Sequence, residues 1–135
     1  MRLFDLHDNC QVLNALDSQT ISTDTTTNGE IIDTSSFHGL EFFLKSAAIT
    51  DGTYTVTLTE GDDSALGDGT TVDAADLLGS IAFVAAEDDT PKRIGYIGKK
   101  RYVRMNVVSA DTTSGGVFDG VAVLFAPNHA PVANQ

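Results

Sequence analysis

From about residue 29 onward the chain alternates apolar and polar positions with a period of two, and the most regular stretch is Thr53-Tyr-Thr-Val-Thr-Leu-Thr59. Tyr54, Val56 and Leu58 point one way and four threonines the other, which is the pattern of a strand with one face on a core. Leu40, Phe42 and Leu44 alternate in the same manner with Glu41, Phe43 and Lys45. Asp51-Gly52 lies between the two runs, and both residues tolerate positive φ, so residues 39–60 are expected to form a β-hairpin. Gly/Asp breakers occupy 61–69, and Val72 to Leu78 has room for one helical turn, with Asp73 near its start. Ile81, Phe83 and Ala85 then alternate, and Lys92 to Ile97 and Arg101 to Val108 predict two further strands turning at Gly98–Lys100. Val117 to Phe125 closes the series with the near-continuous run Val121-Ala-Val-Leu-Phe125, which suggests a central strand covered on both faces.

With Glu30–Asp33 included, seven or eight short strands are expected, separated by turns. The fold class is all-β: an antiparallel β-sandwich, jelly-roll or Greek-key like, with an up-and-down barrel as competitor. No helical pattern is long enough for parallel βαβ crossovers. The ends differ from the middle. Residues 17–28 are polar apart from Ile21, while 1–16 carry Leu3, Phe4, Leu6, Val12, Leu13 and Leu16. The expected organisation is an extended N-terminal arm over 1–28, a sandwich domain over 29–126 and an exposed tail over 127–135. The arm either folds back as an extra strand or docks on a neighbouring subunit. Pro127 and Pro131 bar a regular central strand in the tail.

Composition narrows the function. A length of 135 residues, 41% of them apolar, supports a real core. The net charge of −11 opposes nucleic-acid and anionic-membrane partners. The single cysteine, Cys10, allows no internal disulfide, and neither a secretory signal nor an 18-residue apolar span is evident. Assembly in a cytosol is the expectation.

Candidate chemistry is sparse. His7, His38 and His129 lack metal-ligand spacing, and no nucleophile elbow, phosphate loop or dinucleotide fingerprint occurs. The best metal candidate is a calcium loop built from Glu60, Asp62, Asp63 and Asp68, although its spacing is not that of an EF-hand and the same residues are ordinary turn formers. Neither an enzyme nor a cofactor is expected. The charge map says more. Six of the eight basic residues, Lys92, Arg93, Lys99, Lys100, Arg101 and Arg104, fall between 92 and 104, and residues 46–91 hold none. That basic segment either pairs with acids of its own chain or faces acidic loops of the next copy in a trimer or ring.

The segments Thr27-Asn-Gly-Glu-Ile-Ile-Asp-Thr34, Leu58-Thr-Glu-Gly-Asp-Asp-Ser-Ala65, Lys92 to Arg104 and Pro127-Asn-His-Ala-Pro-Val132 resemble a group of small structural proteins of tailed bacteriophages and prophages. The resemblance covers about 27 to 132 and carries no active site. It implies a virion component, most plausibly a capsid decoration or cement protein on the head exterior. Its partners would be the major capsid protein or other virion proteins. Two further readings are a head-tail connector or tail-associated ring protein, and a receptor- or glycan-binding β module. The contact residues expected on this reading are Leu3, Phe4, Leu6, Val12 and Leu13 of the arm, with the six bases of 92–104.

Overall fold

The computed structural model describes residues 5–133. The alternating segments become ten strands: β1 (Cys10–Ile21), β2 (Thr26–Asp33), β3 (Phe37–Ile49), β4 (Thr53–Gly61), β5 (Thr70–Thr71), β6 (Leu77–Leu78), β7 (Ala82–Val84), β8 (Pro91–Tyr96), β9 (Tyr102–Ala110) and β10 (Gly116–Pro127). They form two antiparallel five-stranded sheets. One has the order β1-β10-β3-β8-β6; the other runs β2-β9-β4-β5, with β7 also pairing β4. The all-β sandwich expected from the alternation is therefore what the chain adopts. The helical turn expected near 72–78 is a single 3₁₀ turn, Ala74–Asp76.

The inward positions of both sheets make one core. Phe42, Leu44, Tyr54, Leu58, Phe83, Ile94, Val103, Met105, Val107, Phe118, Ala122 and Leu124 are all within 1% of full burial. Each large side chain buried this way contributes about 1.5–3 kcal/mol of transfer free energy. Phe118 sits at the centre, with its ring 4.6 Å from Tyr54 and 5.3 Å from Phe83, in the tilted and edge-on geometries that aromatic quadrupoles favour.

Several expectations about connectivity are corrected. Residues 39–60 are not a hairpin: β3 and β4 lie in opposite sheets, and Asp51-Gly52 carries the chain across the sandwich. The cause is local. The Asp51 carboxylate accepts hydrogen bonds from the N–H groups of Thr113, Ser114 and Gly115, and the Thr50 N–H bonds to the Gly115 carbonyl. The turn is thus fastened to the β9–β10 link instead of closing on itself, and the apolar stripes of β3 and β4 face each other. In the same way β8 and β9 belong to different sheets, so the basic segment is an arch between layers.

Of the two readings of the arm, residues 10–21 follow the one in which it folds back as an extra strand. Residues 10–21 form β1, paired with β10 from Cys10↔Phe125 to Ile21↔Gly116, and Ala15, Leu16 and Ile21 are core residues. The polar stretch that resembled a linker supplies the crossing between β1 and β2. Burial of Leu16 and Ile21 against the facing sheet outweighs the entropy of ordering the segment. In the tail, Pro127 is the last residue of β10; the Asn128 N–H bonds to the Ser36 carbonyl and the Val132 N–H to the Asp8 carbonyl, so the mostly exposed tail is tied down at two points.

Candidate interaction face

The two sheets differ on their outer sides. β4 presents Thr53, Thr55, Thr57 and Thr59 outward, and its partner β9 presents Arg104, Asn106 and Val108 in register with them. Asn106 is held by the Thr59 hydroxyl and by Arg104. This surface is mostly polar, although Asn106 itself is buried and Val84 and Val108 are exposed on it. On the other sheet the register places Val12, Val123, Glu41, Gly95 and Leu78 in one row, Asn14, Val121, Phe43 and Arg93 in the next, and Cys10, Phe125 and Gly39 on the far side. Phe43, Val121 and Phe125 are between 36% and 40% exposed, and Leu78 is 56% exposed. The outward half of β10 is therefore apolar but open. This corrects the expectation that β10 is covered on both faces: the facing sheet covers one side, and among the described residues nothing covers the other.

Side chains fold over the glycines of this face. The Phe125 ring lies across Gly39, where a Cβ would fall 2.2 Å from the ring, and Leu78 and Glu41 close over Gly95 in the same way. A Cβ at either position would displace the Phe125 ring or the Glu41 carboxylate from the face. Glu41 sits inside this apolar field. Burial pushes its carboxyl above the usual range, and the Arg93 guanidinium, 3.9 Å away, opposes the shift.

The basic residues singled out in the sequence are mostly neutralised within the chain. Arg101 makes a two-pronged contact to Asp33, both bonds 2.9 Å, and holds that carboxyl down at about 2. Lys100 pairs with Asp62, Lys92 with Glu87 at 3.0 Å, and Arg93 with Glu41. Arg104 donates to the Asn106 side chain, while Lys99 has no ion pair among the described residues. Pairing with acids of the same chain accounts for four of the six.

The calcium candidate resolves into turn chemistry. Asp68 accepts from the N–H groups of Asp62 and Asp63, which lowers its pKa, and Asp63 accepts from Ala65 and Gly67. Glu60 receives the Tyr96 hydroxyl instead. Among the described residues no three His, Cys, Asp or Glu side chains are grouped to hold a metal ion. These carboxylates shape a loop.

Of the expected arm contacts, Leu6 is exposed beside the apolar face and Val12 is on it. Leu13 turns inward against the core, and Leu3 and Phe4 lie outside the described residues. Sequence reasoning missed Phe43, Leu78, Val121, Val123 and Phe125. The signal was present in the outward phase of β3 and β10, where polar residues were due.

Comparison with solved structures places the fold. The PBSX exported protein XepA superposes with a TM-score of 0.59 at 14% identity, over 99% of this chain and 43% of that one. An infectious bursal disease virus structure (Gx strain) gives 0.50 at 14% identity, over 90% of this chain and 35% of that one. The SPBc2 prophage-derived protein YomS gives 0.49 at 15% identity, over 85% and 93%. This chain thus spans less than half the length of XepA and of the viral chain. No protein-family model matches it, and no curated protein matches it in sequence.

Proposed function

We propose that the protein is a structural component of a bacteriophage-type virion, and within the virion a capsid decoration protein on the head exterior. The observation that carries the reading is the asymmetry of the sandwich: the outer side of β4 and β9 is mostly polar and that of the other sheet is largely apolar, on a chain in which several carboxylates shape turns and four of the six clustered bases pair with acids of the same chain. Such a molecule is built to be packed against other proteins, and we read its role as structural, with no catalysis and no cofactor. The nested pairing β1–β10, β2–β9, β3–β8 and β4–β7 is read as a jelly roll, the wrapped double sheet that recurs in viral shells. The sequence resemblance to phage structural proteins supports the virion setting. So do the contexts of two fold neighbours, the PBSX exported protein XepA and an infectious bursal disease virus structure. The strongly acidic surface suits a shell exterior more than a surface facing packaged DNA.

Decoration works by number. Many modest contacts at repeated positions resist expansion of the shell because releasing one leaves the others in place. The test is copy number per purified particle, measured by quantitative mass spectrometry against the major capsid protein. A ratio near one copy per capsid subunit, or per small group of subunits, is expected. A dozen copies or fewer per particle would overturn decoration in favour of a neck or tail ring, and absence from the particle would overturn the virion reading itself.

A further inference from the structure

We infer that the outer face of the β1-β10-β3-β8-β6 sheet is an interface between two copies of this chain, packed face to face about a two-fold axis.

Charge selects the occupant. Each molecule carries a net charge of −11, so two copies repel over most of their surfaces. The outer face is the exception. On β10, β3 and β8 its charged positions are two acids, Glu41 and Asp119, and two bases, Lys45 and Arg93, which the register sets beside one another; at the β1 edge Asp17 accepts from Asn14. The face is therefore close to neutral and carries both signs. A two-fold axis passing between Glu41 and Arg93 sets each against the other's counterpart in the second copy. An isologous contact needs a surface complementary to itself, and this one is.

Shape agrees. Phe125 folds over Gly39 and Leu78 over Gly95, and what remains is an open, mostly apolar depression bordered by Leu6, Phe43, Leu78 and Phe125. A flat apolar sheet is complementary to another flat sheet at about 10 Å, the spacing already used inside the sandwich. Strands about 4.8 Å apart and outward residues about 6.7 Å apart give the face a projected size of about 20 by 20 Å. That is about half of the ~800 Å² per partner of a standard stable interface, before the rim is counted. The dimer is consequently concentration-dependent, and monomer is present on dilution.

Sedimentation velocity on the full chain over a wide range of concentration tests this. The wild type shifts from monomer to dimer. Arg93→Glu and Glu41→Arg each place like charges across the axis and weaken the dimer by at least about tenfold. Mixing the two variants restores it, although the intrachain pair stays broken in both. The first variant carries an acid at both positions and the second a base at both, so opposite charges meet across the axis of the mixed dimer. Phe43→Asp, at an exposed position where folding survives, abolishes the dimer; circular dichroism verifies the fold. A wild type that stays monomeric at every concentration overturns the inference. So does a dimer indifferent to Phe43→Asp, or a mixture that fails to reassociate. Protection of Phe43 and Val121 on particles by a protein that is monomeric in solution would assign the face to a foreign partner instead.

Discussion

Phe42 and Phe43 adjoin on β3 and point in opposite directions, and substituting each by alanine measures how the two faces differ. Phe42 is fully buried between the sheets, whereas Phe43 lies 36% exposed on the outer side. Phe42→Ala opens a void in a close-packed interior and costs about 3–5 kcal/mol. Phe43→Ala opens none, since water fills the site. It forfeits the cross-strand contacts to Val121 and Arg93, each worth about 0.2–1 kcal/mol, so the expected loss is about 1 kcal/mol. The gap between the variants is then at least about 2 kcal/mol, about 30-fold in the unfolding constant. Urea unfolding at dilute protein, followed by far-ultraviolet circular dichroism, reads both values on one scale. Equal losses would refute the argument. They would mean either that the outer face is covered in the monomer or that β3 is displaced by one residue, which exchanges every inward side chain with an outward one. Repeating the measurement at high protein concentration adds a second reading. The penalty for Phe43→Ala grows as the dimer fills, while that for Phe42→Ala keeps its monomer value.

Acid lowers stability through the turn carboxylates. Thr112 holds Asp24 below the ordinary range, the N–H groups of Ser114, Gly115 and Thr113 hold Asp51 there, and Arg101 holds Asp33 at about 2. A depressed carboxyl contributes stability that is present above its unfolded value and lost as pH falls through the folded one, so the thermal midpoint drops between about pH 4 and pH 2. Asp68 and Glu87 are lowered in the same way, and Glu41, shifted upward, acts in the opposite sense but is one group against five. A midpoint flat down to pH 2 would contradict this. Calcium and chelator both leave the midpoint unchanged, because Asp63 and Asp68 already serve backbone donors; a calcium-dependent rise that Asp68→Asn abolishes would reinstate the metal site. Gly52→Ala, at φ +91° with a Cβ driven 2.5 Å from the Thr112 methyl, costs about 1–2 kcal/mol by chemical denaturation; a neutral effect would show that the crossing turn relaxes freely.

The strands were legible because alternation is a property of single segments, and Tyr54, Val56 and Leu58 needed no other part of the chain to be read. Pairing was not legible, because it depends on which distant backbone a turn is fastened to. Asp51-Gly52 has the composition of a hairpin turn, yet the donors that decide its geometry are Thr113 to Gly115, some sixty residues away. The choice between the two readings of the arm was illegible for a related reason. The polar stretch around Ser22–Thr25 is as suitable for a crossing between sheets as for a linker, and only the burial of Leu16 and Ile21 distinguishes the two. The basic segment was visible as a charge cluster, but its partners Asp33, Asp62, Glu41 and Glu87 lie on other elements and come together only in the fold.

β10 carries the most telling of these misreadings. Its run Val121-Ala-Val-Leu-Phe125 reads as a strand with cover on both sides, and the facing sheet supplies one. Ala122 and Leu124 are buried there. Val121, Val123 and Phe125 occupy the phase that β4, in the other sheet, gives to threonine. The same chain therefore shows how it dresses a sheet for water, and it does not dress this one that way. An apolar outward phase on β10, continued by Phe43 on β3 and Leu78 on β6, leaves the hydrophobic effect unsatisfied in the monomer. A pattern that implies two-sided burial then reports on the assembled state. On the inference drawn above, another molecule supplies the second side, and the near-neutral charge of the face, carrying both signs, makes a second copy of the chain the molecule that fits.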